Sequence, residues 1–266
     1  MLRALADGKI LAGVEDGIAR LVFNNPERRN AVSLAMWQAV SDAVAAFAAD
    51  PSVRVLLVSG AGGKAFVSGA DISRFEQERT GEDAVARYNT AAEAAYVALA
   101  AFPRPVIAAI DGACVGGGLA LAVSCDIRIA AEDSRFGLPA ARLGLGYPFS
   151  GIARLIGVVG RAAAAEILFT ATLYDAAQAK DWGLVNRLLP PGEVQAAAEA
   201  LAAQIAANAP LTVAAAKRAL VEHAKDPAAR DLPAVQAMVL AAFASDDYRE
   251  GQAAFRDKRA PRFTGA

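Results

Sequence analysis

With 266 residues, 55% of them hydrophobic, the chain is long enough to bury a sizeable core in one large domain or in one domain with a small appendage. Its net charge of −1 provides no electrostatic basis for binding nucleic acid or an anionic membrane surface. No apolar run approaches the roughly 18 residues of a membrane span. The first nine residues are too short and too charged for a signal peptide. We therefore expect a cytoplasmic protein without nucleic-acid or membrane partners.

Residues that build metal sites, disulfides and hydrolytic triads are scarce in this chain. Cys114 and Cys125 lack the spacing of a metal site or a disulfide framework, so we expect both to be reduced and buried. His223 is the one histidine, and it lies in a late helical pattern among charged residues. We predict no metal site, and a structural or solvated role for His223.

The beginning of the chain predicts a hairpin, a helix and a buried strand. An Asp-Gly turn separates two β-rich runs within 10–23, which predicts a β-hairpin. A polar loop over 24–32 follows, and Ser33 is placed to cap an amphipathic helix over 34–49. Residues 53–60 are typical of a buried strand.

Strands and helices continue to alternate up to about residue 190. A glycine-bearing loop occupies 62–72, a helix is predicted over 82–101, and a β-branched run over 105–110 leads into three glycines. A strand near 126–130 and an irregular loop over 135–148 follow. Later helices are predicted near 151–158, 161–170, 175–182, 192–208, 210–223, 233–244 and 246–259. The pattern indicates an α/β core capped by a helical tail, with no linker that marks independent domains.

Three consecutive glycines, Gly116, Gly117 and Gly118, open an apolar helix. Backbone N–H groups at a helix start lack intrahelical partners, and residues without side chains let a ligand atom approach closely. The positive end of the helix dipole favours negative charge on that atom, so we expect an anion or a developing oxyanion here. A tightly packed turn is the competing interpretation. The spacing matches neither of the common nucleotide-binding glycine motifs.

The motifs of the chain occur in a characteristic order. Ser-Gly-Ala-Asp-Ile at 68–72 precedes Gly-Gly-Gly-x-x-Leu-Ala at 116–122, with Asn-Ala at 30–31 upstream and Cys-Asp-Ile at 125–127 downstream. Near the end stands Glu-Gly-x-x-Ala-Phe-x-x-Lys-Arg-x-Pro at 250–261. Together these motifs resemble the crotonase (enoyl-CoA hydratase/isomerase) superfamily over nearly the whole chain.

The resemblance implies both a fold and a set of site residues. The fold would be α/β, with a crotonase-like ββα spiral core that binds acyl-CoA over 1–195 and a helical C-terminal trimerisation region over 196–266. By motif position, the backbone N–H groups of Ala70 and Gly117 would form an oxyanion hole for the thioester oxygen and for the enolate formed on it.

The resemblance also implies the groups that hold coenzyme A. The positions that match are Ala31, Lys64, Ser68 and Ile72, with Phe255 and Lys258 offered by a neighbouring subunit. Arg28 suits either the same anionic groups or a solvated loop. The implied assembly is a homotrimer or homohexamer, the substrate is an acyl-CoA, and no cofactor is implied beyond the coenzyme A moiety of that substrate.

The two glutamates that the family uses for hydration are absent. Motif position places them at Ala120 and Ala140, and no acidic residue lies between Ser134 and Ala165. A positioned general acid or base contributes about 10²–10⁴-fold to a rate. The pattern therefore argues against standard hydration.

The loop over 143–151 resembles that of methylmalonyl-CoA decarboxylases, which also lack the glutamates. Loss of CO₂ generates an enolate without a base. Tyr147 would orient a carboxylate or supply a proton, or else form an aromatic wall of the acyl pocket. Arg142 would attract that carboxylate, or else be a surface charge. Three hypotheses follow: an enolate-stabilising acyl-CoA enzyme, a decarboxylase of a malonyl-type CoA ester, and a non-catalytic acyl-CoA-binding paralogue.

Overall fold

A computed structural model describes residues 1–71 and 81–266. The strands are β1 (Arg3–Leu5), β2 (Ile10–Glu15), β3 (Ile18–Phe23), β4 (Val55–Gly60), β5 (Ala65–Val67), β6 (Val106–Ile110), β7 (Ala113–Val115), β8 (Ile127–Ala131), β9 (Arg135–Gly137), β10 (Tyr174–Asp175) and β11 (Arg187–Leu189). The helices are α1 (Leu34–Ala49), α2 (Glu82–Ala100), α3 (Gly117–Ala122), α4 (Phe149–Thr170, with a kink at Gly160, where φ is 74°), α5 (Ala176–Asp181), α6 (Val194–Ala206), α7 (Pro210–His223), α8 (Leu232–Ala244) and α9 (Asp246–Arg256). Within the two described ranges, no helix is long and apolar enough to cross a membrane.

Most strands of the chain belong to one large sheet. Its order is β1-β2-β3-β4-β6-β8-β11, and every pair from β3 onward is parallel. The predicted hairpin is confirmed as the antiparallel pair β2–β3. Asp16 and Gly17 form its turn with φ values of 53° and 76°. Positive φ at both central residues matches the twist of the flanking strands, which explains why Asp-Gly marks this hairpin.

A second, small sheet determines the architecture. Its order is β10-β9-β7-β5, and β5, β7 and β9 run parallel to one another. The chain passes from β4 to β5, from β6 to β7 and from β8 to β9, so each turn places one strand in each sheet before the next helix. The result is a spiral of ββα turns, and the predicted α/β fold is confirmed. Sequence reasoning missed β5, β7 and β9, because strands of three residues are too short to show a period.

The large sheet is buried on both faces, as parallel sheets usually are. Leu56 and Val58 of β4 belong to the main core with α1 and α2, whereas Val55 and Leu57 belong to a second cluster. Helix α6 covers that second face with its buried residues Val194, Ala198, Leu201 and Ala202. The predicted boundary at 195/196 falls at the start of α6, and the division into two regions stays a prediction.

Buried polar contacts attach the C-terminal helices to the spiral. Lys217 of α7 lies 2.6 and 2.7 Å from the two carboxylate oxygens of Asp126, which also accepts the N–H of Val106 at 2.8 Å. Arg54 donates to the carbonyl oxygens of Ala206 and Phe263 at 3.1 and 2.9 Å. These contacts fix the helical region against the sheet within one chain, and they leave trimerisation a prediction.

Among the described glycines, Gly118 leaves the least room for a side chain, where α3 packs against β5. A Cβ atom added to Gly118 would overlap the carbonyl oxygen of Val67. Gly118→Ala is therefore expected to destabilise the protein by about 1–3 kcal/mol or more, the usual cost of overpacking. Gly157→Ala is the matched control, because a Cβ there would meet nothing within 4 Å.

The control should raise stability by about 0.5–1 kcal/mol, since glycine weakens a helix interior relative to alanine. Urea unfolding of both variants measures the difference. Equal unfolding midpoints for the two variants would contradict the close packing inferred at Gly118.

Candidate active site

The two glycine loops singled out in the sequence lie against each other. Val32 pairs with the first loop by donating to the carbonyl of Gly69 at 2.9 Å and accepting the N–H of Asp71 at 3.1 Å. A Cβ on Gly69, which has φ of 110°, would stand 3.9 Å from the backbone nitrogen of Gly117. A Cβ on Gly116 would stand 3.7 Å from the Cα of Gly69. The positive φ values of 110° at Gly69 and 57° at Gly116 favour glycine on both loops.

Ala70 and Gly117 present backbone N–H groups at this junction. Ala70 forms an isolated parallel bridge with Val32. The two hydrogen bonds of this bridge join Val32 to the carbonyl of Gly69 and to the N–H of Asp71, so the N–H of Ala70 takes no part in them. The N–H of Ala70 therefore points away from Val32. Gly117 is the first residue of α3, where an N–H has no intrahelical acceptor. Within the described part of the chain, neither N–H donates a hydrogen bond.

Three buried aromatic side chains form hydrogen bonds that support the two loops. Trp37 donates from its indole Nε1 to the hydroxyl of Tyr88 at 2.9 Å, and that hydroxyl donates to the carbonyl of Val32 at 2.8 Å. Tyr96 donates its hydroxyl to the carbonyl of Gly117 at 3.3 Å, and its ring meets the Trp37 ring edge-on at 5.2 Å. Sequence reasoning missed this support. The signal was present in α2, where Tyr88 and Tyr96 share one helix face.

The positions of the absent glutamates are occupied by small side chains. Ala120 is buried in α3, where its N–H donates to the carbonyl of Gly116 at 3.1 Å. Ala140 is half-buried in the 3₁₀ turn Pro139–Leu143. That turn also carries Arg142, which is exposed.

Tyr147 lies at the entry to α4 and packs against the main core. Its side chain is half-buried, and burial raises the pKa of its phenol to about 12. The phenol therefore stays protonated at neutral pH and is equipped to donate a proton or a hydrogen bond. A Cβ on Gly151 would lie 2.7 Å from a ring carbon of Tyr147, so glycine at that position makes room for the ring.

An ion pair beside these tyrosines was not anticipated from the sequence. Glu93 of α2 accepts two hydrogen bonds from the guanidinium of Arg154 in α4, at 2.6 and 3.0 Å. The guanidinium lowers the pKa of Glu93, and its Cζ lies 5.6 Å from the centroid of the Tyr96 ring. Glu93 lies outside the motif positions 120 and 140, so the motifs do not indicate it. The helix period places it one turn before Tyr96.

The segments predicted to hold coenzyme A are joined by Asn30. Its buried side chain donates to the carbonyls of Ala61 and Ala65 at 3.0 and 2.7 Å. The N–H of Ser68 donates to the carbonyl of Arg29 at 3.2 Å. Of the predicted residues, Ala31 is buried, Ser68 is half-buried, Arg28 and Lys64 are exposed, and Ile72 lies outside the described residues.

Phe255 and Lys258 belong to the C-terminal region. Phe255 lies in α9 with 89% of its surface exposed and lines an apolar groove between α7, α8 and α9. Lys258 follows the helix with φ of 52°. Their predicted role concerns a neighbouring subunit, so both assignments stay predictions.

Comparison with known proteins agrees with this architecture. The profile of the family described as enoyl-CoA hydratase/isomerase matches residues 13–266. The chain belongs to this family. A crotonyl-CoA hydratase from Syntrophomonas wolfei is 34% identical to it over 97% of this chain and 99% of that protein.

Solved structures of family members resemble the chain over nearly its full length. An enoyl-CoA hydratase/carnithine racemase from Magnetospirillum magneticum is 38% identical with a TM-score of 0.91, covering 97% of this chain and 96% of that one. An enoyl-CoA hydratase from Bacillus anthracis is 30% identical with a TM-score of 0.87, covering 97% and 100%. Membership of the crotonase superfamily, implied by the motifs, is thereby confirmed.

Proposed function

We propose that this enoyl-CoA hydratase/isomerase family member binds an acyl-CoA thioester and stabilises its enolate with the N–H groups of Ala70 and Gly117. The observation that carries the proposal is the junction of the two glycine loops, where both N–H groups are unpaired among the described residues. One donor of this kind is worth about 2.7–4 kcal/mol to a developing oxyanion. Two donors on separate loops fix that oxygen in position.

The placement of Gly117 adds an electrostatic argument. As the first residue of α3, it lies at the positive end of the helix dipole. The thioester oxygen gains negative charge when the enolate forms, so stabilisation is larger in the transition state than in the bound substrate. Interactions of that kind accelerate the chemical step.

Coenzyme A would lie along the segments that Asn30 joins. Arg28 and Lys64 are exposed there and suited to phosphate groups, and Ser68 lies between them and the glycine junction. Residues Phe255 and Lys258 of another subunit would complete this end. A homotrimeric or homohexameric assembly, and a cytoplasmic location, belong to the same proposal.

The reaction that follows enolate formation depends on the proton donors present. Several relatives are named hydratases, including the one from Syntrophomonas wolfei. Hydration needs a group that activates water, and this chain has alanine at both motif positions, 120 and 140. We therefore place the chemistry at the enolate itself, with Tyr147 as the proton donor.

A second candidate function is decarboxylation of a malonyl-type CoA ester. Two observations favour it: Ala120 and Ala140 replace the acids, and the Tyr147 phenol is protonated beside the core. The electron pair of the bond to the carboxylate would pass into the thioester as an enolate while CO₂ leaves. The α-carbon would then take a proton from Tyr147, which regains one from solvent.

A panel of acyl-CoA thioesters tests both candidates by mass spectrometry. It contains saturated, enoyl, malonyl-type and branched acyl groups, each incubated in deuterium oxide. Exchange of the α-proton supports enolate stabilisation, and CO₂ release from methylmalonyl- or ethylmalonyl-CoA supports the decarboxylase. Calorimetric binding without either reaction would favour a non-catalytic acyl-CoA-binding protein, and absence of binding would overturn the proposal.

Removal of one backbone donor gives a direct test of the oxyanion hole. Gly117→Pro deletes the N–H at the first helical position, where proline suits the helix. It should reduce α-proton exchange or CO₂ release by about 10²–10³-fold, the cost of losing one donor.

Gly117→Ala is the matched control for this variant. It adds the same Cβ, which would stand 3.1 Å from the Tyr96 hydroxyl and 3.2 Å from the Trp37 ring, but it keeps the N–H. Turnover by the alanine variant measures the steric cost of the Cβ. Equal turnover in the two variants would show that the Gly117 N–H takes no part in the reaction.

Tyr147→Phe tests the proposed proton donor. Loss of a general acid should lower turnover by about 10²–10⁴-fold with little change in acyl-CoA affinity. Because the Tyr147 pKa is raised to about 12, the phenol is protonated at lower pH, and the Tyr147-dependent rate should stay flat through neutral pH and fall only in strong alkali.

Tyr174→Phe serves as the control for this substitution. The Tyr174 hydroxyl is 2.7 Å from Thr170, at an exposed hydrogen bond on the small sheet. Steady-state rates across the pH range give the comparison. A Tyr147→Phe enzyme that retains the rate of the Tyr174→Phe enzyme would reduce Tyr147 to a wall of the acyl pocket.

A further inference from the structure

The Glu93–Arg154 ion pair joins the two helices that flank the candidate site. Two parallel hydrogen bonds connect the side chains at 2.6 and 3.0 Å, the forked arrangement that makes arginine–carboxylate pairs strong and directional. Ser150 also hydrogen-bonds to Glu93 and lowers the pKa of that carboxyl. Glu93 of α2 thus holds two side chains from the first turns of α4.

Each helix carries a group that belongs to the proposed chemistry. Tyr96 follows Glu93 by one turn of α2 and bonds the carbonyl of Gly117 at 3.3 Å. Tyr147 lies two residues before α4, and its ring fills the space that a Cβ on Gly151 in the first turn would need. The ion pair therefore connects the helix behind the oxyanion hole to the segment that carries the proton donor.

The start of α4 depends on such an external contact. Pro148 occupies the cap position, and no side-chain cap bonds the first N–H groups of the helix. A helix without a side-chain cap is less well fixed at its first turn. Glu93 contacts this first part of α4 from outside the helix, through the side chains of Ser150 and Arg154.

We propose that Glu93 is a positioning residue that, together with Arg154, fixes the first turn of α4 and thereby sets the place of the Tyr147 phenol relative to Gly117. This inference rests on the proposed function.

The chain offers a closely matched pair elsewhere. Arg20 of β3 donates two hydrogen bonds to Glu199 of α6 at 2.9 and 2.8 Å. Side-chain exposures are 22% and 31% for Arg20 and Glu199, against 17% and 34% for Arg154 and Glu93. The control pair lies on the face of the sheet covered by α6, away from the glycine loops.

The test is a double-mutant cycle in the full-length protein. Glu93→Gln and Glu199→Gln are made singly and each in combination with Tyr147→Phe. The readouts are kcat and KM for the reaction found with the acyl-CoA panel, and the thermal unfolding midpoint of every variant.

We expect Glu93→Gln to lower kcat by about tenfold to a hundredfold with KM within about twofold, since small misplacements of a reacting group cost this much. In the Tyr147→Phe background the same substitution should have no further effect, because the two residues act as one unit. Glu199→Gln should lower the unfolding midpoint to a similar degree and leave kcat unchanged in both backgrounds.

Two results would overturn the inference. If Glu93→Gln matches Glu199→Gln in kcat, the pair is structural only. If its effect multiplies with that of Tyr147→Phe, Glu93 does not act through the phenol. Failure of the proposed function gives a different result from failure of this inference alone. The unmodified protein would then show neither α-proton exchange nor CO₂ release, and that result would overturn both the proposed function and the role of Glu93.

Discussion

The contact between the two glycine loops is the constraint on which the rest of the site depends. A Cβ on Gly118 would overlap the carbonyl oxygen of Val67, and a Cβ on Gly69 would stand 3.3 Å from the carbonyl oxygen of Val115. Side chains at these places would push the loops apart. The ββα spiral brings the loops together because β5 and β7 are neighbours in the small sheet, so consecutive turns present their loops at the same edge.

At this junction the N–H groups of Ala70 and Gly117 donate no hydrogen bond within the described residues, and the motif positions for proton-transferring acids hold no acid. The aromatic cluster of Trp37, Tyr88 and Tyr96 holds both loops through hydrogen bonds to the carbonyls of Val32 and Gly117. The motif positions for general acids hold Ala120 and Ala140. The proposed chemistry follows from this combination: the enolate would arise without a base, and the Tyr147 phenol would return the proton.

The same organisation explains why α2 and α4 matter beyond packing. Tyr96 of α2 bonds Gly117, and Tyr147 packs against the first turn of α4. The Glu93–Arg154 ion pair connects the two helices. A second pair with two hydrogen bonds, Arg20–Glu199, connects α6 to the opposite face of the sheet. Under the proposed function the two pairs would differ in consequence, because only Glu93–Arg154 lies beside Tyr96 and Tyr147.

The sequence by itself determined the family, the α/β class, the hairpin and the Ser33-capped helix α1, since each rests on local residue chemistry or on motif order. It also located both glycine loops and the absence of acids at Ala120 and Ala140. Only the tertiary structure decided the three-residue strands of the small sheet and the pairing of Glu93 with Arg154. Short strands show no period, and the residues of the ion pair lie far apart in the chain, so contacts across the spiral alone bring them to the glycine junction.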